Sequence, residues 1–444
     1  MTAPGPAAAL IAEHCRELLG DPEQADDTTL RDIVAQCAQP LRVLLVGGVS
    51  SGKSTLLNAL VSGSRAETAF TETTSVITWY HGPHLGTLRL PDPSHRAVAV
   101  EFPLADRLVL GDSPGLNTVS ENPRETLRMM RGGDLAGAAA AFVCVLDRGL
   151  VDKHWAEQLE GLAAFSAGPF DLVGNVVVVM SKIDLVDEDI GGIERRTRVD
   201  APVTIRFAGV NQLMAAAARN GAVDGRTVAV LDALRALPSF TSWPADSWPE
   251  VQEELSGLFP DADLKAFEET VGGPKWLPEL IRATADMDDP SAVAAVFEHM
   301  SGIATLESVL ADIAEDADLF TSTAALLRLR RLAAGLPDGP AARVRSAIAG
   351  VTSSRPYQDL WPRAAARLMR HTCVGDGLDP DDVETALRLL RGLSCAPADA
   401  AAALTRWSSR SADPFADSRT RHLARLVQDA ALRALADPEP EETL

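Results

Sequence analysis

The chain has 444 residues and a formal net charge of −21. That length exceeds one ordinary core and predicts two or three domains. The acid excess argues against nucleic acid as a general partner and against simple electrostatic adhesion to anionic lipid. Hydrophobic residues make up 46% and aromatics only 5%, a balance that favours helix-rich packing around a sizeable core. No apolar run approaches the ~20 residues of a bilayer span. Met1 to Leu10 lacks the basic start and cleavage site of a secretory leader, so a cytoplasmic location is expected. The five cysteines are scattered without metal spacing and read as reduced, mostly buried thiols.

In chain order, Ala7 to Leu19 and Thr28 to Gln36 read as two amphipathic helices separated by Asp21-Pro22-Glu23. They suit either a neck packing against later helices or a decoration of the domain that follows. Leu41 to Val46 is an apolar run of buried-strand type. It leads into Gly47-Gly48-Val49-Ser50-Ser51-Gly52-Lys53-Ser54 and a helical run from Thr55 to Val61. Strand, Gly-rich turn and helix N-terminus make an anion site from backbone N–H groups and the helix dipole. Gly47, Val49, Ser50, Ser51, Gly52 and Thr55 are the candidate main-chain and flanking contacts to phosphate. Lys53 should reach the β and γ phosphates, and Ser54 should offer its hydroxyl to Mg²⁺.

Next come a Thr-rich segment and the strand-like run Ser75 to Tyr80. A threonine here can sense Mg²⁺ and the γ phosphate; Thr74 is the first choice and Thr73 the second. Leu85 to Leu90 and Ala97 to Phe102 read as a hairpin turning at Pro91-Asp92-Pro93-Ser94. Arg107 to Gly111 is a strand that ends in Asp112-Ser113-Pro114-Gly115. There Asp112 can hold the metal through water and the Gly115 amide can meet the γ phosphate.

Ala141 to Leu146 is a further buried strand, followed by Asp147-Arg148 and a helix around Lys153 to Phe165. Asp147 and Arg148 face the nucleotide side, and a loop-capping role is preferred to one across a dimer. Asn175 to Met180 is the fifth core strand and ends in Ser181-Lys182-Ile183-Asp184. A carboxylate at that place can accept hydrogen bonds from the N1–H and amino group of guanine. Adenine lacks that donor pair and would leave a buried charge unpaired. The Lys182 stem packs over the base, and the Ser181 hydroxyl can bridge neighbouring loops. Val203 to Phe207 reads as the sixth strand, and Ala208-Gly209-Val210-Asn211 as the last base-side loop, with Ala208 and Gly209 as candidate contacts. Strands alternating with helices predict a doubly wound, mostly parallel α/β sheet.

From Val223 onward the β signal vanishes and an all-α bundle is expected. The strongest helix starts at Ser301, where Ile303, Leu306, Leu310, Ile313, Ala317, Phe320, Ala324 and Leu327 alternate three and four apart. It should break at Gly335-Leu336-Pro337-Asp338-Gly339-Pro340. A helix of about 30 residues spans ~45 Å, enough for a stalk, and a core helix of a compact bundle is the close alternative. Asp379-Pro380-Asp381-Asp382 begins another helix with a cap and an acidic first turn. Ala398 to Trp407 and Arg419 to Leu435 are others, ahead of an acidic tail. The predicted domains are 1–40 (N-terminal helices), 41–222 (P-loop GTPase domain), 223–436 (helical bundle or stalk) and 437–444 (tail).

These signals, in this order, resemble the dynamin superfamily of large GTPases, and most of all bacterial dynamin-like proteins, including the actinobacterial isoniazid-inducible type. The residues that carry the resemblance are Gly47 to Thr55, Thr73 to Thr78, Asp112 to Gly115, Ser181 to Asp184 and Ser301 to Leu306. The resemblance implies GTP and GDP binding, dimerisation across nucleotide sites and GTP-driven membrane remodelling. It implies Ser54 and Thr74 as Mg²⁺ ligands, Lys53 on the phosphates and Asp184 on guanine. Many dynamins carry Gln where this chain has Val49, which cannot hydrogen-bond an attacking water. Ser50 matches a residue that helps place a charge-compensating monovalent cation, K⁺ or Na⁺. The leading expectation is therefore a GTP-hydrolysing mechanoenzyme, with Ser50, Lys53, Thr74 and Gly115 in catalytic roles. It would form a homodimer, or a heterodimer with another dynamin-like protein, and sit at the inner face of the cell membrane through a partner or on assembly. The alternative is a slow or inactive GTP-binding adaptor that pairs with an active dynamin-like partner.

Overall fold

The computed structural model of the protein describes residues 4–48, 50–61, 77–113, 139–148, 175–186, 190–200, 206–237, 247–371, 378–416 and 418–436. Two helices, α1 (Pro6–Leu19) and α2 (Thr28–Cys37), precede a seven-stranded sheet. Its strands are β1 (Leu41–Gly47), β2 (Thr78–His81), β3 (Arg96–Ala99), β4 (Leu108–Asp112), β5 (Ala141–Asp147), β6 (Val176–Ser181) and β7 (Arg206–Val210). They lie in the order β3-β2-β4-β1-β5-β6-β7. Every pairing is parallel except β2 with β4. All seven residues of β1 are buried, as expected of a strand covered on both faces. Helices α3 (Lys53–Leu60), α4 (Ile190–Asp200) and α5 (Gln212–Arg219) follow β1, β6 and β7.

The expected hairpin is not formed. Leu85 to Leu90 holds only a short turn at Pro83–Leu85, and β3 pairs parallel with β2. Gly86 sits at φ +62, off any strand conformation. The carbonyl of Arg89 accepts from Arg42 Nη2 instead of a ladder N–H, and Arg89 Nε donates to Asp32 in α2. Leu88 is buried regardless. Its apolar signal therefore reports burial without strand pairing.

The rest is helical: α6 (Gly225–Ala236), α7 (Trp248–Leu255), α8 (Asp261–Val271), α9 (Leu277–Ala283), α10 (Pro290–Met300), α11 (Ile303–Glu315), α12 (Ala317–Gly335), α13 (Asp338–Ser353), α14 (Arg355–Gln358), α15 (Leu360–His371), α16 (Pro380–Leu390), α17 (Pro397–Ala412) and α18 (Ser418–Ala436). Helices α6 to α10 share a hydrophobic cluster with Met214 and Ala217 of α5. The long apolar seam is divided between α11 and α12, with Asp316 out of helical geometry between them at φ −100, ψ 24. Arg367 of α15 binds the Asp316 carboxylate through Nε (3.0 Å) and Nη2 (2.5 Å) and lies over the Phe320 ring. One half of the seam, α11, rests on β7 and α3, and the other half, α12, on α1, α2 and α13.

Two polar anchors fix these halves. Asp318 of α12 accepts from the Ala7 and Ala8 amides at 3.1 and 2.8 Å, and so caps the N-terminus of α1 from a distant helix. Arg219, at the end of α5, donates to Glu298 of α10, to Glu307 of α11 and to the Ala59 carbonyl at the end of α3. One guanidinium thereby joins four helices.

Candidate nucleotide site

The carboxyl ends of β1, β4, β5, β6 and β7 meet at one edge of the sheet, where α/β folds place ligands. After β1 the chain turns through Ser50 at φ +59 and Gly52 at φ +87 into α3. A methyl group at Gly52 would stand 2.7 Å from Gln212 Nε2, and its φ disfavours any side chain. Lys53 is 6% exposed, and its Nζ donates to the carbonyls of Gly47 (2.9 Å) and Gly48 (2.8 Å). Burial lowers its pKa, and Asp112 opposes that shift. An anion placed among the loop amides would stabilise the ammonium more than two neutral carbonyls do.

Ser54 Oγ donates to Asp112 Oδ2 at 3.3 Å. Burial raises the Asp112 pKa against the opposing pull of Lys53 and the Ser54 hydrogen bond. Asp112 Oδ1, Ser51 Oγ and Ser113 Oγ are buried and have no hydrogen-bond partner among the described residues. The Ser54 hydroxyl and the unpartnered Asp112 Oδ1 offer hard oxygen donors, which fit Mg²⁺ and the waters it retains.

The base side is built differently. Ser181 Oγ donates to the Leu146 carbonyl, and the Arg148 amide donates to the Ser181 carbonyl. Lys182 takes φ +55, its amide donates to Gln212 Oε1 (2.9 Å), and its Nζ pairs with Asp147 at 3.0 Å. Asp147 therefore holds the Lys182 ammonium. Asp184 is 3% exposed, and its Oδ2 accepts from the Gly273 amide at 2.8 Å. Burial raises its pKa, opposed first by that backbone hydrogen bond. The Gly272–Gly273 turn can approach because it has no side chains. A methyl group at Gly272, φ +83, would lie 2.6 Å from Asp184 Oδ2, and one at Gly273 would lie 2.6 Å from the Asp184 carbonyl oxygen. Asn211 Nδ2 holds the Val271 carbonyl (2.9 Å) and Trp248 Nε1 holds that of Gly272. The amide that Asp184 accepts from is thus fixed by tertiary contacts.

Among the described residues, four non-glycine residues have positive φ, and three of them (Ser50, Arg148 and Lys182) line this edge. Strained backbone of this kind gathers at sites that hold a ligand. Of the expected site residues, the fold brings together Gly47, Ser50, Ser51, Gly52, Lys53, Ser54, Thr55 and Asp112 on one side, and Ser181, Lys182 and Asp184 on the other. Val49, Thr73, Thr74, Gly115 and the helix around 153–165 lie outside the described residues. Ala208 and Gly209 are not in a loop. They pair with Val179 and Met180 inside β7, and the loop side begins at Asn211, which caps α5. A methyl group at Gly209 would lie 3.0 Å from Ile190 Cδ1, and one at Gly302 would meet the Gly209 carbonyl at 2.3 Å, so it is the bare Gly302 that lets α11 enter tight against β7. Sequence reasoning missed Gln212 and the Gly272–Gly273 turn. Gln212 follows a capping Asn directly after the last strand, a usable signal; the turn lies 88 residues or more beyond Asp184 and gives none.

A family model described as 50S ribosome-binding GTPase matches residues 42–182. The isoniazid-induced protein IniC of Mycobacterium tuberculosis, in strains CDC 1551 / Oshkosh and ATCC 25618 / H37Rv, is 32% identical over 171 residues. That alignment covers 32% of this chain and 35% of IniC, so the match spans about a third of the length of these relatives. Among solved structures, a chain from an oligomerised bacterial dynamin pair aligns over 98% of this chain and 76% of its own, at 12% identity and a TM-score of 0.30. LeoA, a bacterial dynamin GTPase from ETEC, aligns over 97% and 75%, at 11% identity and a TM-score of 0.28. Whole-chain superpositions at that level carry no argument. The chain carries a GTPase domain, matched over residues 42–182, and resembles the isoniazid-induced protein IniC over about a third of its length.

Proposed function

We propose that this chain is a dynamin-like GTPase that binds GTP with Mg²⁺, hydrolyses it to GDP and phosphate, and couples the cycle to dimerisation and membrane remodelling through its helical stalk. The observation that carries the reading is the convergence of Lys53, Ser54 and Asp112 at the mouth of a sheet whose edge strand, β7, is gripped by α11. Lys53 would leave the Gly47 and Gly48 carbonyls for the phosphates, and the amides after Gly47 would orient them. Mg²⁺, when bound, supplies charge neutralisation on the phosphate oxygens. Ser54 and Asp112 would hold it, with Thr74 as the third ligand and a monovalent cation near Ser50. In this reading residues 1–40 are a neck, 41–222 the motor, 223–436 the stalk and 437–444 a tail. The location is cytoplasmic and peripheral to the inner membrane face.

A second reading has its own support. Asp184 is buried, with one oxygen already on the Gly273 amide, so base binding must displace or rearrange that turn. A slow or inactive GTP-binding adaptor, paired with an active dynamin-like protein, would tolerate such a barrier. GTP turnover with and without liposomes, measured against Lys53→Ala, separates the two. Turnover that Lys53→Ala abolishes supports the mechanoenzyme. Nucleotide binding without turnover, in either condition, favours the adaptor.

A further inference from the structure

A second polar site lies away from the nucleotide edge. A cavity of about 220 Å³ opens where β7, α11, α15 and α16 meet, and five arginines line it against three carboxylates. Arg206 starts β7. Arg363, Arg367 and Arg370 occupy positions i, i+4 and i+7 of α15, one face of that helix. Arg391 caps the end of α16. Guanidinium groups gathered in one place repel one another unless carboxylates or a bound anion offset them, and solvent exposure of Arg363, Arg370 and Arg391 weakens that repulsion.

The protein answers only part of it. Asp312 pairs with Arg206, and Asp316 with Arg367. Arg363, Arg370 and Arg391 have no carboxylate within 4 Å among the described residues, and neither does Glu315 have an arginine partner there. Arg367 is itself 5% exposed and held rigidly: Asp316 takes its Nε and Nη2, the Asp312 carbonyl takes Nη2 again, and the Phe320 ring lies 5.0 Å from its guanidinium carbon. Its remaining nitrogen, Nη1, is buried with no acceptor, as is Nε of Arg206. A buried donor without a protein partner must be met by water, an ion or a ligand.

From these observations we infer that the cavity between β7, α11, α15 and α16 binds a phosphate-bearing anion, with Arg363, Arg367, Arg370 and Arg391 as its donors. Guanidinium forks match phosphate oxygens in pairs, which favours phosphate over halide or a single carboxylate. The volume lies below the ~300–1,000 Å³ of sites for whole organic ligands, so a phosphoryl or diphosphate group fits and a whole nucleotide does not. Either a free phosphate compound or the headgroup of an anionic lipid presents that chemistry. The position has a consequence for the fold: the anion would bridge the first residue of β7, whose other end reaches Asn211 at the base site, to the helices that extend α11 and α15.

The test is calorimetric titration of the full chain with inorganic pyrophosphate, in wild type, in R363E/R370E/R391E, and in R226E/R345E/R355E, three exposed arginines outside the cavity. The phosphate loop is common to all three proteins, so the difference between them isolates the cavity. The inference expects a binding event that weakens tenfold or more in the first variant and survives in the second, at constant ionic strength and with unchanged circular dichroism. Equal loss in both variants, or no loss in either, would overturn it. Flotation with phosphatidic-acid vesicles against phosphatidylcholine vesicles then separates the sources. Co-flotation on phosphatidic acid that only the cavity variant loses identifies a lipid headgroup; pyrophosphate binding without co-flotation identifies a soluble phosphate.

Discussion

The phosphate side and the base side of the nucleotide site are made by opposite means. The phosphate side is local: β1, the loop and α3 are one stretch of chain from Leu41 to Leu60, completed by Asp112 from the neighbouring strand. The base side is assembled from afar: Asp184 and Lys182 after β6, Gln212 from α5, and the Gly272–Gly273 turn fixed by Trp248 and Asn211. A locally built grip depends on a few residues in sequence. A tertiary grip depends on whether several helices keep their places, and so it can report their movement.

Breaking the local half should have the largest effect. Lys53→Ala removes the one buried cation in the loop, and GTP affinity should fall roughly 100-fold, the scale of charge-assisted phosphate contacts. Titration with a fluorescent GTP analogue checks this; unchanged affinity would remove the phosphate-side reading. Arg219→Ala tests the join between the halves, because its guanidinium ties α3, α5, α10 and α11. Its loss should reduce stability by about 2 kcal/mol, below the full figure for a buried pair because Glu298 is 43% exposed on its side chain and can rehydrate. Urea unfolding measures it, and a midpoint equal to wild type would deny the anchor.

Gly273→Ala should act on the base side alone. The added methyl must displace the Asp184 carbonyl, at a stability loss of about 1–2 kcal/mol. The preference for GTP over ATP should narrow while pyrophosphate competition stays as it was. A uniform loss for all phosphate ligands would show that the two sides are not separable. The smallest effect concerns charge. Burial raises the Asp184 pKa in the folded chain, so its contribution to stability is full below the unfolded carboxylate pKa and is lost as pH rises through the folded value. Asp184→Asn removes that loss. The nucleotide-free variant should melt above wild type near neutral pH and converge with it in acid, while binding GTP more weakly and xanthosine nucleotides better. Melting curves at several pH values decide the point, and a lower melting temperature for the variant at neutral pH would contradict it.

How far the sequence could be read follows the same division. The buried strands β1, β4, β5 and β6 announce themselves as apolar runs, because a parallel strand is covered on both faces and has no polar alternation to confuse. The cap at Asp379 works because capping is a matter of the next three residues. The errors came where remote groups overrule local pattern. Arg42 claims the Arg89 carbonyl and no strand forms at Leu85 to Leu90. Arg367 holds Asp316 at a break in an otherwise unbroken heptad seam. Ala208 and Gly209 read as the loop after the last strand, yet they pair inside β7, and the bare Gly302 brings α11 against the Gly209 carbonyl.

By itself the sequence determined that a mostly parallel sheet precedes a helical region, and where phosphate would be held, since hydrophobic period, glycine placement and the reach of one lysine are properties of neighbouring residues. Only the tertiary structure decided which turn covers Asp184, where the long seam divides, and that unpaired arginines from α15 and α16 face one cavity. Those outcomes depend on which distant donors and acceptors arrive within ~3 Å of each other, and no window of sequence contains both partners.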